Sequence, residues 1–354
     1  MYFDLTDPYG LDAQVKDRIM LEAMNDLTSI HKRNCQQYSN ILARLYREKC
    51  FDSLELVPFL PVGLFKALDL MSVPRNAVIK TLTSSGTSGN SVSRIYLDTD
   101  TAQKQTKALA SIMVSFLGKK RRPMLIIDNN AFVSDRKKFN ARAAGILGFS
   151  SFGREHYYCL DEDLGLDISG IKEFLKKYKS EPIFIFGFTF MVWQRLFKAI
   201  EETGEDFRFN SESILVHGGG WKRLVDQQVS NDDFKSALND QLGIGNIHNY
   251  YGMVEQVGSI FMECEHGHLH APVFADVIIR DPISLEPLGI GKEGVIQVLS
   301  CLPTSYPGHS LLTEDAGILL GVDNCPCGRL GKYFHVTGRL AQAEIRGCSD
   351  TRVM

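Results

Sequence analysis

Thr81-Leu-Thr-Ser-Ser-Gly-Thr-Ser-Gly-Asn-Ser91 follows the apolar run Ala77–Leu82 and precedes a helical pattern near residues 100–117. Glycines let a backbone turn tightly and present N–H groups, and Ser and Thr hydroxyls add donors. A loop of this composition can therefore wrap a polyphosphate without a lysine. A surface linker shares the composition. The position between a strand and a helix favours the phosphate loop.

Working outward, short apolar runs alternate with helical patterns up to about residue 260. Met124–Asp128, Ile183–Phe188 and Ile214–His217 read as strands, and helices are expected near 100–117, 135–147, 169–179, 189–203 and 222–242. Continuous Ile/Leu/Phe runs between helices mean strands buried on both faces, which defines an α/β layered architecture. Apolar residues at helical spacing from Leu11 to Tyr46 put one or two amphipathic helices at the start. After Gly258 the strands Val273–Arg280 and Val295–Leu299 are separated by turns with little helix between them. The expected division is an N-terminal helical segment, 1–76, and an α/β region, 77–259, then a smaller β-rich subdomain, 260–340, and a tail, 341–354.

With 354 residues, 39 Lys and Arg against 42 Asp and Glu, and a net charge of −3, the chain is not a generally basic nucleic-acid binder. No apolar run reaches the roughly 18 residues of a membrane span. The opening MYFDLTDPYG lacks the basic and apolar regions of a secretory leader, so a cytoplasmic protein is expected. Gly289-Ile-Gly-Lys-Glu-Gly294 spells GxGxxG, but a strand follows it where a dinucleotide site needs a helix, and it reads as a turn. There is no Walker lysine loop, and Gly86–Asn90 fails the GxSxG elbow at its last position.

Eight irregularly spaced cysteines do not resemble the disulfide framework of a small secreted domain. Cys264-Glu-His266-Gly-His268-Leu-His270 and, far downstream, Cys325-Pro-Cys327 supply three thiols and three imidazoles. Zn²⁺ takes four such donors in a structural site, and the Cys-x-Cys pair beside Gly328 is a natural knuckle.

The loop Thr83-Ser84-Ser85-Gly86-Thr87-Ser88-Gly89 resembles the phosphate loop of the adenylate-forming superfamily, which includes acyl-CoA synthetases and luciferases. Four further motifs follow in that superfamily's order. His217-Gly218-Gly219-Gly220-Trp221 resembles the glycine turn beside adenine. Asn249-Tyr250-Tyr251-Gly252-Met253-Val254-Glu255 resembles the segment whose aromatic stacks on adenine and whose Glu holds Mg²⁺. Thr313-Glu314-Asp315 resembles the segment whose Asp accepts the ribose hydroxyls, and Gly338-Arg339 the pair whose Arg approaches the ribose. LPVGLFK (60–66), HGGGWK, YGMVEQ and AEIRGCSD are similar to the acyl-protein synthetases of the bacterial bioluminescence fatty-acid reductase complex, with phenylacetate-CoA ligases as more distant relatives.

The resemblance implies the large-domain architecture of an adenylate-forming enzyme. It implies ATP-dependent activation of a fatty or other apolar carboxylic acid to acyl-AMP, with ATP and Mg²⁺ required and the acyl group passed to a thiol. It favours Cys264, His270, Cys325 and Cys327 as the structural zinc ligands, with His268 as the alternative imidazole. It also selects Cys348, flanked by Arg346 and Arg352, as the acyl acceptor ahead of an acyl-accepting or acyl-reducing protein partner. Transfer to free CoA, as in an acyl- or aryl-CoA ligase, is the alternative, and a nucleotide-binding subunit with reduced catalysis is the other. Two departures bear on this. Val254 replaces the usual Thr, and only fifteen residues follow Arg339, so the domain that carries the superfamily's catalytic lysine is expected to be essentially absent. Mg²⁺ and a basic residue, Lys222 or Arg339, are the candidates to compensate, and the aromatic stretch Phe184–Trp193 has two readings, part of an acyl pocket or simply core.

Overall fold

The computed structural model describes residues 2–46, 50–84, 92–130, 141–221 and 229–340. Two helices open the chain, α1 (Ala13–Asn34) and α2 (Gln36–Leu45). Asp12 caps α1 by accepting from the Val15 N–H, and Met20, Ala23, Met24 and Leu27 form its buried stripe. β1 (Leu60–Pro61) and α3 (Leu64–Ala67) lead to a hairpin, β2 (Lys80–Thr83) and β3 (Arg94–Leu97), and then to α4 (Thr99–Leu117).

Strand and helix then alternate: β4 (Arg122–Ile127), α5 (Ala141–Ser150), β5 (Gly153–Tyr158), α6 (Ile168–Lys177) and β6 (Phe184–Phe188). α7 (Thr189–Met191) passes through one π-helical stretch into α8 (Lys198–Thr203), followed by β7 (Ile214–Gly218), α9 (Asn231–Leu242) and β8 (Asn246–Tyr251). Six strands follow among the described residues: β9 (Phe261–Glu263), β10 (Leu269–His270), β11 (Ala275–Arg280), β12 (Glu293–Ser300), β13 (Ser310–Val322) and β14 (Lys332–Arg339).

Twelve of the described strands form one sheet, in the order β11-β12-β13-β14-β10-β9-β8-β7-β6-β4-β5, with β1 alongside β13. From β5 to β8 the pairing is parallel; from β8 to β11 it is antiparallel. The strands of 260–340 therefore continue the α/β sheet. Met124, Ile126, Phe184, Phe186 and Val216 join a core with Ile112 and Met113 of α4 on one face. Leu125, Ile127, Ile185 and Leu215 join Phe174, Leu196 and Phe234 on the other, so the apolar runs are buried on both sides.

The phosphate-loop segment departs from its expected setting. Its strand is Lys80–Thr83, outside the large sheet, and the next element is the antiparallel partner β3, with α4 beginning only at Thr99. The loop thus joins two hairpin strands, where a strand-to-helix turn was expected. A 3₁₀ turn at Arg75–Ala77 takes the start of the expected strand. Gly289–Gly294 is a turn with Gly291 at φ +79°, as the sequence requires. Among the described residues, no helix is long and apolar enough to cross a membrane.

His31 of α1 is fully buried and stacks on His309 with centroids 4.9 Å apart. Its Nε2 faces Pro303 O (3.2 Å), which can only accept, so Nε2 carries the proton and the Ser72 hydroxyl donates to Nδ1 (2.8 Å). Burial pushes His31 down to about 3, and burial followed by the nearby Lys235 charge does the same for His217. Both are neutral when folded and take up a proton on unfolding below about pH 6.5. Their stabilising contribution is complete above that value and is lost as pH falls toward 3, each approaching about 1.4 kcal/mol per pH unit. The urea midpoint should be level above pH 7 and drop between pH 6.5 and 5. An unchanged midpoint over that interval would contradict the buried neutral state.

Candidate active site and metal cluster

β7 and β8 run side by side and end together, with Gly218 paired to Tyr250 at the carboxyl edge of the parallel strands. Open α/β sheets bind ligands at that edge. The two predicted motifs therefore meet through a backbone ladder. Gly218 must be glycine: a Cβ there would lie 2.3 Å from Cε1 of Tyr250, whose half-buried ring packs against Phe149 at 4.9 Å. Gly219 adopts φ +78°, and its carbonyl accepts from the Thr189 hydroxyl (2.7 Å), which also pairs with His217 Nδ1 (2.9 Å).

On β8, the Asn249 N–H donates to Glu263 Oε2 (2.8 Å). Glu263 is buried and also meets Asn231 and Lys235, whose Nζ lies 3.0 Å from Oε1. Tyr251 Oη donates to Asp315 Oδ2 (2.7 Å), and Asp315 pairs across β13 and β14 with Arg339, Nε to Oδ1 3.6 Å. Burial raises the Asp315 carboxyl, while Tyr251 and Arg339 pull it down. Three predicted ribose and adenine residues thus form one connected group, and Arg339 is committed to Asp315.

Glu255 follows in a 3₁₀ turn, only 5% exposed, with its carbonyl accepting from Tyr306 Oη (2.9 Å). Burial raises its carboxyl; the neighbouring Ser93 side chain and the Lys66 ammonium act the other way. Ser93 stands at the foot of the phosphate-loop segment, where its N–H donates to Ser84 Oγ (2.9 Å) and its carbonyl accepts from the Ser84 N–H (3.2 Å). Thr83 is exposed beside it. Ser85, Gly86, Thr87, Ser88 and Gly89, together with Lys222 and Cys348, lie outside the described residues.

The second cluster forms where two tight turns face each other. Cys264-Glu-His-Gly turns on Gly267 (φ +79°) and Cys325-Pro-Cys-Gly on Gly328 (φ +79°), each closed by a glycine N–H to the cysteine carbonyl (3.0 Å). β10 pairs with β9 and β14, which sets His270 beside both turns. Ligand atoms of Cys264, His270, Cys325 and Cys327 all lie within 4.8 Å of one another. Cys264 Sγ to Cys325 Sγ is 3.9 Å and Cys327 Sγ to His270 Nε2 is 3.3 Å. A zinc–sulfur bond of about 2.3 Å implies a tetrahedral edge of about 3.8 Å, so the donor set fits Zn²⁺. The His266 N–H donates to Cys264 Sγ (3.4 Å) and the Arg329 N–H to Cys327 Sγ (3.5 Å), bonds that favour thiolates. His268 reaches Cys325 Sγ at 3.2 Å but is not one of the four. The cluster adjoins the far end of β13 from Asp315, and seven strand residues span about 23 Å. It is therefore remote from the Tyr251–Asp315 group.

Sequence reading missed Thr189, Glu263 and Tyr306, which hold backbone atoms of the site and carry no spacing signal. Of the two readings of Phe184–Trp193, acyl pocket or core, the packing fits the core. Phe184 and Phe186 belong to one core, Ile185, Met191 and Trp193 to the other. Of the stretch, Phe188 borders the glycine turn, 3.5 Å from where a Cβ on Gly219 would lie.

Comparison with solved structures shows the fold. An open conformation of 2-hydroxyisobutyryl-CoA ligase, in complex with 2-HIB-AMP and CoA, superposes with a TM-score of 0.72 at 15% identity, over 95% of this chain and 77% of that one. The chain thus has the architecture of an adenylate-forming ligase. A family model described as "Acyl-protein synthetase, LuxE" matches residues 3–353, and the chain belongs to that family. Relatives include the long-chain-fatty-acid–luciferin-component ligases of Vibrio harveyi and Aliivibrio fischeri. The first is 24% identical, over 90% of this chain and 83% of its own; the second is 21% identical, over 95% and 87%. The protein is an enzyme, a ligase that activates a carboxylic acid with ATP as acyl-AMP and transfers the acyl group to a thiol.

Replacing Gly218 with Ala should destabilise the fold by about 1–3 kcal/mol, the range for overpacking a filled site, because the Tyr250 ring and β8 have to move. Thermal melting of Gly218→Ala against Gly220→Ala, where a Cβ meets nothing within 4 Å, checks this. Equal melting temperatures would mean that the ring yields without cost.

Proposed function

We propose that the acid is a long-chain or similarly apolar one and that its acyl group passes from AMP to Cys348, then to a protein partner that accepts or reduces it. The observation that carries this reading is the joining of Asn249–Tyr251, Gly218–Gly220, Asp315 and Arg339 at one sheet edge within a chain of the acyl-protein synthetase family. The names of the two luciferin-component ligases supply the acid class. In this reading Tyr251 and the glycine turn flank adenine, and Asp315 and Arg339 take the ribose. Ser84 begins the phosphate loop, and Thr83, Ser85, Gly86, Thr87, Ser88 and Gly89 serve the phosphates with it. Glu255, a buried carboxylate, would hold Mg²⁺, a hard cation that neutralises phosphate charge. Cys264, His270, Cys325 and Cys327 would hold a structural zinc, whose binding energy is also folding energy. Thiols that must stay reduced suit a cytoplasmic enzyme.

Incubation with ATP, Mg²⁺ and radiolabelled fatty acid should label the protein, and neutral hydroxylamine should remove the label as it does from a thioester. Cys348→Ser should lose the label yet still release pyrophosphate, since adenylation precedes thiol attack. Persistent thioester on the Cys348→Ser protein would overturn the assignment, and efficient transfer to CoA by that variant would favour a CoA ligase.

Protein purified without added metal should contain about one zinc per chain. Cys325→Ser should lower both the zinc content and the melting temperature. A metal-free parent that melts like the variant would leave the four residues as ordinary buried side chains.

A further inference from the structure

Leu60-Pro-Val-Gly-Leu-Phe-Lys66 has no role in the site as described so far. β1 lies parallel to β13 at Leu311 and Leu312, and the Val62 N–H continues the ladder to Leu312 O (2.9 Å). This pins the segment beside Thr313-Glu314-Asp315, and a Cβ on Gly63 would lie 3.8 Å from Glu314 Oε1. One helical turn later Phe65 is fully buried, edge-on to Tyr306 with centroids 6.1 Å apart. Tyr306 is the residue whose hydroxyl holds the Glu255 carbonyl. The segment is thus anchored at one end to the strand that bears Asp315 and at the other to the support of Glu255.

Lys66 comes next, exposed where Phe65 is inside. Its positive charge acts against the effect of burial on the Glu255 carboxyl, and the Glu314 charge acts with it. A short α3 on two anchors sets the Lys66 backbone between the Thr313–Asp315 segment and the Tyr306 support of the buried Glu255.

We propose that Lys66 is a catalytic cation of the adenylation step, binding the triphosphate beside Glu255. The inference rests on the adenylating activity and adds a residue to it. In that step a carboxylate oxygen of the acid donates an electron pair to the α-phosphorus. The bond from that phosphorus to the oxygen bridging to the β-phosphate breaks, and pyrophosphate departs with the electron pair; no proton moves. Negative charge concentrates on the α-phosphoryl oxygens and the departing bridge oxygen, and a fixed cation there stabilises the transition state more than the ground state. Arg339 is tied to Asp315, so the chain needs a second source of positive charge, and Lys66 is placed to be it.

The test compares the parent, Lys66→Met, Lys66→Arg and Glu255→Gln in acid-dependent ATP–pyrophosphate exchange, with melting curves and with transfer from pre-formed acyl-AMP to the enzyme thiol. Lys66→Met should lose about 100-fold in exchange. It should melt with the parent, because the side chain is exposed, and accept acyl from acyl-AMP at the parental rate, because that half-reaction involves no triphosphate. Lys66→Arg should recover at least about tenfold of the exchange, since the charge is restored. Exchange by Lys66→Met within threefold of the parent, while Glu255→Gln is inactive, would overturn the role of Lys66 and leave the adenylating activity standing. Loss of exchange and of acyl-AMP transfer together, with a lowered melting temperature, would make Lys66 structural and overturn it as well. A parent without acid-dependent exchange would overturn the adenylation reading, and Lys66 with it.

Discussion

β8 is hydrogen-bonded on both edges, parallel to β7 at Gly218 and antiparallel to β9 at Met262, and the site hangs from that double pairing. A strand with both edges occupied cannot slip by one residue without exchanging the faces of every side chain on it. Tyr250 is thereby committed to Gly218 and Phe149, and Tyr251 to Phe261, Phe334 and Asp315. The same strand is where parallel pairing gives way to antiparallel, so the α/β half supplies the glycine turn and the β-rich half supplies Asp315 and Arg339. Neither half holds the site alone.

Charge is handled differently at the two ends of β13. At one end Asp315, Glu255 and Glu314 gather carboxylates, and Arg339 and Lys66 are the cations set among them. Such a basin suits a ligand that arrives with its own negative phosphates and hydroxyls to be held, provided that cations come too. At the other end three thiols and an imidazole crowd together, an arrangement in which several thiolates repel one another unless a cation sits between them. Nearby, Lys16 and Lys332 sandwich the fully buried Asp276, 3.3 Å and 2.7 Å from its carboxylate, and Lys16 also donates to Ala271 O beside His270. That ion pair joins α1 to the strands bordering the thiol turns, so the N-terminal helix and the Cys/His cluster brace each other. Breaking a buried pair of this kind by removing one partner costs several kcal/mol, because the remaining charge is stranded.

Much of the fold was legible along the chain because its signals are local. Met124–Ile127 and Ile183–Phe186 are apolar at every position, as strands covered on both faces require, and the strands formed within a residue or two of those limits. The Cys264–His270 and Cys325–Cys327 stretches marked themselves by composition, and their thiols and His270 do cluster. The hairpin around the phosphate loop was not legible in this way. Whether the residues after a Gly/Ser loop form a strand or a helix depends on the partner they meet, and Arg94–Leu97 pairs with a short strand that is itself defined only by that pairing. The choice between acyl pocket and core for Phe184–Trp193 was open for a related reason. Alternation sends consecutive residues to opposite faces, so closeness in sequence did not become a shared wall.

The sequence by itself determined the α/β class, the order of the motifs and the Cys/His groups that cluster. Each is encoded by residue type and spacing, and such information survives without knowledge of long-range contacts. Only the tertiary structure decided that the β-rich strands extend the same sheet, that Tyr251 is bonded to Asp315, and that Thr189, Glu263 and Tyr306 hold the backbone of the site. It alone set the segment that carries Lys66 against Tyr306, the support of Glu255. These facts join residues tens to hundreds of positions apart, and such contacts are set by which strand edges and apolar faces find one another. No local pattern in the chain records that.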